Sequence, residues 1–394
     1  MKLTISLNGL DKSGKTTQSE GIIKHYGLVY PARKLKDYNG WPKLDDKSMS
    51  NWWFFDGKTE DVVRTIYEAV KFRKEDANSV DYPLVLLDRG DGMFQSVCVA
   101  TVAARERCSL DRAKRIVESI CGSFEDSKEE RIFYFTGSTP EEMCKLSKRR
   151  GSDKEGTERS QGIYASYQGF LSELLLEKLR TGAYSHVIDA TQTLEEVSKE
   201  TMDLIDKTIS KEIDPLKSCL LVGLGGLSEC GKSRLGDYLR DQRGFKRVKI
   251  GSIIDKLAIK YSVPLNLRNL DIYSVGDELL ATLFLEQLGR EAGEHTRIVA
   301  DSLRRFGFTK QVKRIMGSRF QIVYVETPEE IRIMRNTKDV GGDMLFSKKE
   351  VSRKDNIKKT KGADRIREIS DLVLDNSGSF EKTCLDLDSF LRTL

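Results

Sequence analysis

The chain has 394 residues, 39% of them hydrophobic and 32% charged, with 66 Lys and Arg against 61 Asp and Glu. At about 150 residues per domain the length corresponds to two or three domains, each able to bury a core. The apolar fraction and only seven Pro exclude a collagen-like or wholly disordered chain. A net charge of +5 with interspersed signs permits a nucleic-acid partner without indicating one.

No window reaches the roughly 18 apolar residues of a membrane helix, and the opening segment is too short for a signal-peptide core, so a cytoplasmic location with no membrane partner is expected. Seven Cys without a CxxC pair suggest neither a disulfide framework nor a zinc site. His25, His186 and His295, far apart, offer little for a His-based triad.

In chain order, Leu3, Ile5 and Leu7 alternate as a strand and run into Gly9-Leu10-Asp11-Lys12-Ser13-Gly14-Lys15-Thr16, which fits GxxxxGK[ST] and is followed by a helix-compatible stretch from Thr17. The glycines of this pattern let successive N–H groups converge on phosphate oxygens at the positive end of a helix. Gly9, Lys12, Ser13, Gly14, Lys15, Thr16 and Thr17 are therefore assigned to a nucleotide cradle, with Lys15 on the β- and γ-phosphates and the Thr16 hydroxyl on Mg²⁺. Trp41 and the run Trp52-Trp53-Phe54-Phe55 read either as core or as a surface on which a base stacks. Residues 82–87 form a continuous apolar run, as in a buried parallel strand, and end in Asp88-Arg89, where side chains point into a ligand crevice.

Three further pieces follow: Lys148-Arg149-Arg150 ahead of a Gly/Ser/charged stretch, a helix carrying Tyr164 and Tyr167, and Val187-Ile188-Asp189-Ala190-Thr191 before a last helix. With these, residues 1–210 resemble the thymidylate kinase family of P-loop nucleoside monophosphate kinases. The resemblance implies that Asp11 lies beside the acceptor, Arg89 binds its 5′-phosphate, and Arg149 and Arg150 neutralise the phosphoryl group in transfer. It also implies that Asp88 serves the metal and that Asp189, Ala190 and Thr191 lie near the ATP base. The chain departs from the family pattern over residues 29–57, where Arg33 is the available arginine, and at Gly90, where the family has an aromatic residue.

Residues 211–217, polar and containing Pro215, are expected to link two domains. A second apolar strand around Cys219 to Val222 leads into Gly226-Leu227-Ser228-Glu229-Cys230-Gly231-Lys232-Ser233, a second GxxxxGK[ST] placed 217 residues after the first. Gly226, Ser228, Glu229, Cys230, Gly231, Lys232, Ser233 and Arg234 are assigned to a second cradle, with Ser233 on Mg²⁺. Residues 246–250, 297–301 and 320–325 read as further strands, and Thr327-Pro328-Glu329-Glu330 as a helix start. A polar stretch rich in Lys and Asp then extends to about Lys361.

Together with the A-D-S-L-R of residues 300–304 and the D-L-V-L-D-N-S-G-S of residues 371–379, residues 218–394 look like the dephospho-CoA kinase and adenylate/cytidylate kinase-like branch of P-loop kinases. That resemblance implies that Asp301 orients Mg²⁺ through water, Arg304 touches the acceptor or its phosphate, and Arg332 and Arg335 belong to a lid. Glu229 and Cys230 stand where that branch has small residues, which leaves open an active kinase and a regulatory nucleotide-binding module. Cys230 itself reads either as an inert small side chain or as a low-pKa thiol.

The expectation is an α/β protein of two tandem P-loop NTPase domains, nucleoside monophosphate kinase-like, each a parallel β-sheet flanked by helices with a lid. At least the first is expected to transfer the γ-phosphate of ATP, with Mg²⁺, to dTMP or a related deoxypyrimidine monophosphate. Two other readings stand beside it: a kinase acting on a hydroxyl of a modified nucleoside, DNA base or coenzyme precursor, and a nucleotide sensor. A homodimer through the first domain is compatible with the resemblance.

Overall fold

The computed structural model describes residues 2–11, 13–122, 130–137, 139, 158–211, 216, 218–261, 275–341 and 343–394. Their packing divides the chain into two units, Met1–Ile205 and Asp206–Leu394. The first unit runs β1 (Leu3–Asn8), α1 (Lys15–Tyr26), β2 (Val29–Pro31), α2 (Asp46–Asn51), a π-helical turn (Trp52–Asp56), α3 (Thr59–Ser79), β3 (Leu84–Asp88), α4 (Asp91–Glu106), α5 (Leu110–Cys121), β4 (Glu130–Thr136), α6 (Glu158–Arg180), β5 (His186–Asp189) and α7 (Leu194–Lys211). The division between units falls inside α7, ahead of the expected linker, most of which lies outside the described residues.

The second unit runs β6 (Leu220–Gly225), α8 (Lys232–Arg243), β7 (Lys246–Lys249), α9 (Ile250–Lys260), α10 (Asp277–Ala292), β8 (Arg297–Leu303), α11 (Phe306–Met316), β9 (Phe320–Glu326), α12 (Glu329–Val340), α13 (Met344–Lys359), β10 (Leu372–Asp375) and α14 (Phe380–Leu391). The polar stretch up to Lys361 is thus a helical pair, α12 and α13. Pro328 is the N-cap rather than the first helical residue, and α12 begins at Glu329.

Each unit holds one five-stranded sheet, ordered β2-β3-β1-β4-β5 in the first and β10-β9-β6-β8-β7 in the second. Numbered within its own unit, the second sheet has the same 2-3-1-4-5 order as the first. The strand pairings are parallel throughout, with Ile5 opposite Leu86 and Val222 opposite Val299. Helices cover both faces, so strand residues such as Leu3, Ile5, Leu84 and Val85 are almost wholly buried and the runs are apolar without alternation. Each such side chain contributes about 1.5–3 kcal/mol by leaving water. In a sheet of this order β1 or β6 is central, and the chain leaves it in opposite directions on its two sides. That reversal opens a crevice at the carboxyl ends of the strands, where the two GxxxxGK[ST] loops lie. Both units are α/β P-loop NTPase domains.

Candidate functional site

The two phosphate loops repeat each other residue by residue. Gly9 and Gly226 adopt φ of 145° and 134°, and Gly14 and Gly231 φ of 89° and 98°, values that a side chain would strain. Lys15 Nζ donates to the carbonyls of Gly9 (3.1 Å) and Leu10 (2.6 Å) and to Ser13 Oγ (3.3 Å). Lys232 Nζ donates to the carbonyls of Gly226 (2.9 Å) and Leu227 (2.6 Å) and to Cys230 Sγ (3.0 Å). Cys230 therefore holds the place of Ser13, buried beneath the loop; it supports the lysine, and its backbone carbonyl accepts from Asn376 Nδ2 and Thr327 Oγ1. Lys12 lies outside the described residues. Burial, and then the facing charge of Arg89, push Lys15 down to about 8.

In the first unit Asp11 and Arg89 form an ion pair across the loop. The Asp11 carboxylate also accepts from Tyr164 Oη and Gln168 Nε2, each at 2.9 Å, so α6 closes over it. Burial works against the Arg89 charge, but Asp11 outweighs it and raises the pKa of the guanidinium. Tyr167, beside them, is raised by burial and then by Asp11, and stays a neutral phenol. Arg89 sits at φ 73°, a left-handed conformation rare for a side chain this large. Arg73 of α3 holds it there: Nη1 donates to the carbonyls of Arg89 (2.8 Å) and Asp88 (3.3 Å), and Nη2 to Asp91 Oδ1 (2.9 Å). Arg73 is 2% exposed and lies on the same buried face as Val62, Val63, Ile66 and Val70. An arginine on an otherwise apolar helical stripe is the sequence signal that could have found it.

Asp88 is exposed at the end of β3, and its charge bears on Lys15; Thr16 is exposed at the start of α1. Arg149 and Arg150 lie outside the described residues. Asp189 turns back on itself, accepting from the backbone N–H (2.9 Å) and hydroxyl (2.7 Å) of Thr191. Asp375 does the same with Ser377 at the equivalent point of the second unit. Trp52, Trp53 and Phe55 pack half-buried against the first unit's core, while Arg105 gathers the carbonyls of Trp52, Trp53 and Gly57 around the π-helical turn. Arg33, the expected stand-in for the family's arginine, pairs with Asp76.

The second unit has an open cavity of about 1030 Å³ over its phosphate loop, lined by nine Lys and Arg against two carboxylates. Ser228, Glu229, Gly231, Lys232, Ser233, Arg234, Arg304 and Arg335 all line it, and the Arg234 guanidinium lies 3.9 Å from the centre of the Phe380 ring. Glu229, at φ 59°, receives Asn336 Nδ2 (3.3 Å) and Lys354 Nζ (3.4 Å), so its charge is held by the α12–α13 pair.

The expected lid role of Arg332 is corrected. At 5% exposure it forms a buried ion pair with Asp355, donates to the carbonyls of Ser228 and Thr327, and anchors the loop from below. Asp355 Oδ1 in turn accepts the Ser228 N–H at 2.8 Å. Asp301 is buried, with Oδ2 paired to Arg247 at 2.6 Å, a partner the sequence did not indicate. Its Oδ1 and the neighbouring Ser302 Oγ are buried oxygens with no hydrogen-bond partner among the described residues. Hard oxygen donors left unsatisfied, with Ser302 lining the same cavity as Ser233, fit the donor set of Mg²⁺. Among the described residues, no helix is long and apolar enough to cross a membrane.

No family model matches the chain. A UPF0200 protein of Saccharolobus islandicus is 26% identical over 176 residues, 42% of this chain and 88% of that protein. A UPF0200/UPF0201 protein of Archaeoglobus fulgidus is 23% identical over 167 residues, 41% of this chain and 51% of that protein. Among solved structures, a deoxyadenosine kinase from M. mycoides is 15% identical with a TM-score of 0.38, spanning 52% of this chain and all of that one.

Proposed function

We propose that the protein is an ATP-dependent nucleotide kinase whose first unit phosphorylates a nucleoside monophosphate, with a deoxypyrimidine such as dTMP as the favoured acceptor. The observation that carries this reading is the Asp11–Arg89 pair above the phosphate loop. A carboxylate within a phosphate cradle repels the donor nucleotide unless it serves another ligand, and Asp11, gripped by Tyr164 and Gln168, is directed to the acceptor's sugar hydroxyl. Arg89 then takes the acceptor's own phosphate, and a nucleoside monophosphate carries both groups. Asp189 and Thr191 lie near the donor's base, and Arg149 and Arg150 supply lid charge.

Phosphoryl transfer needs alignment and charge compensation rather than a covalent nucleophile. Thr16 and Asp88 in the first unit and Ser233 and Asp301 in the second would hold Mg²⁺, which would supply charge neutralisation at the phosphate oxygens. Lys15 and Lys232 exchange their loop carbonyls for phosphate oxygens when a nucleotide enters. The second unit we read as a second kinase, favoured by its cationic cavity; domain limits of 1–210 and 218–394 belong to this proposal. The test is kinetic: Arg89→Ala raises KM for the acceptor by about 10²-fold and KM for ATP by less than about threefold. Equal effects on the two substrates would remove the acceptor role.

A further inference from the structure

We propose that Lys358, at the end of α13, is a catalytic cation of the second unit, joining Lys232 and Arg304 around the phosphoryl group in transfer. The inference rests on reading the second unit as a kinase. Lys358 lines the same cavity as Lys232 and Arg304, and these two cations are its main charged neighbours. Asp355, a carboxylate that bears on it, is committed to Arg332 and to the Ser228 N–H. Among the described residues neither Lys358 nor Arg304 has an ion-pair partner.

Three cations on one cavity, two of them without an ion pair among the described residues, are a poor arrangement for an empty fold and a good one for a polyanion. The arrangement stabilises most strongly the species with the most negative charge between them. Several other charges of the α12–α13 pair are held by partners. Arg332 is buried under the loop, Arg335 gives Nη2 to the Asn376 carbonyl at 2.7 Å, and Lys354 attends Glu229 and Glu350. Lys358 is the α13 cation that lines this cavity without an ion pair among the described residues, and Arg335 of α12 lines the cavity beside it.

In the step itself, the acceptor oxygen forms its bond to the γ-phosphorus as the bond from that phosphorus to the β–γ bridging oxygen of ATP breaks. The electron pair of the broken bond stays on ADP, and a proton from a hydroxyl acceptor goes to water. Lys358 transfers no proton; it offsets the charge gathering on the phosphoryl and bridging oxygens. Burial, followed by repulsion from Lys232 and Arg304, pushes it down to about 8, so it is cationic at neutral pH and loses its charge as pH rises beyond that. Arg335, Lys338 and Asp339 of α12 also line the cavity it faces.

The experiment compares the full chain with Lys232→Ala, Lys358→Ala and Lys358→Arg, measuring kcat, KM and the binding of a fluorescent ATP analogue. The turnover lost in Lys232→Ala defines the activity of the second unit. Lys358→Ala is expected to lower that kcat by about 10²–10³-fold while analogue affinity changes by less than about threefold. Lys358→Arg is expected to restore kcat to within about tenfold and to remove the decline of kcat/KM above pH 8. If Lys232→Ala removes an activity that Lys358→Ala retains, or if affinity falls as far as kcat, the inference fails and the kinase reading stands. If Lys232→Ala leaves every turnover intact, the kinase reading of this unit fails and the inference with it.

Discussion

Arg73→Met is the substitution that most sharply separates the scaffold of the first site from its chemistry. Methionine fills much of the same volume but leaves Asp91, 5% exposed, without its main partner and strips the donor from the carbonyls of Asp88 and Arg89. Removing one member of a buried pair costs about 3–5 kcal/mol. Lys74, 3.4 Å from Asp91 Oδ2, places the expected loss toward the lower end, about 3 kcal/mol. For a unit of this size that corresponds to a melting shift of about 6–12 °C. Urea unfolding read by hydrogen exchange over residues 59–106 reports the loss. With its left-handed backbone released, Arg89 no longer meets the acceptor squarely, and the acceptor KM rises by about 10-fold or more. In the double variant Arg73→Met/Asp91→Leu the buried charge is gone, so stability returns to within about 1 kcal/mol of wild type while the acceptor defect persists. A single variant that loses less than about 1 kcal/mol and keeps its acceptor KM would refute the reasoning.

Other outcomes follow from the same geometry. Gly90→Ala places a Cβ against Glu130 Oε1 and 2.9 Å from Ser6 Oγ, so the first unit loses about 1–3 kcal/mol in a thermal melt; an unchanged melt would contradict the close packing. Cys230→Ser, which installs the residue the first loop has at Ser13, keeps nucleotide-analogue affinity within about threefold, whereas a thiol essential to turnover would show as lost kcat. Arg247→Met leaves Asp301 buried and unpaired, and calorimetry of the full chain should show one transition lowered by about 3 kcal/mol or more.

Strands β1, β3, β6, β8 and β9 and both phosphate loops were legible because each follows from local chemistry, whereas β2 and β4 were not. Runs such as Leu84 to Leu87 are apolar on both faces, and a phosphate cradle needs Gly9, Gly14, Gly226 and Gly231 at fixed spacing. The pairs that shape the sites were not legible. Arg73 with Asp91, Arg247 with Asp301, and Arg332 with Asp355 join elements 18, 54 and 23 residues apart, and a charged residue in sequence looks alike whether it meets water or a buried partner. Helix α13 was read only as a polar stretch because few of its side chains are buried, Ser347, Val351 and Asp355 among them, and two of those three are polar. Lys358, which lines the cavity over the phosphate loop as Lys354 does, is one of six lysines from Lys348 to Lys361. The π-helical turn at Trp52–Asp56 depends on Arg105, nearly fifty residues on, and has no local signature.

The account is tested most directly by a phosphate-acceptor screen with ATP and Mg²⁺ on the full chain and on Lys15→Ala, with products resolved by charge. It predicts that the full chain converts at least one natural nucleoside monophosphate, a deoxypyrimidine first among them, to its diphosphate, and that Lys15→Ala abolishes that conversion. A full chain that forms no nucleoside diphosphate from any natural monophosphate would contradict it.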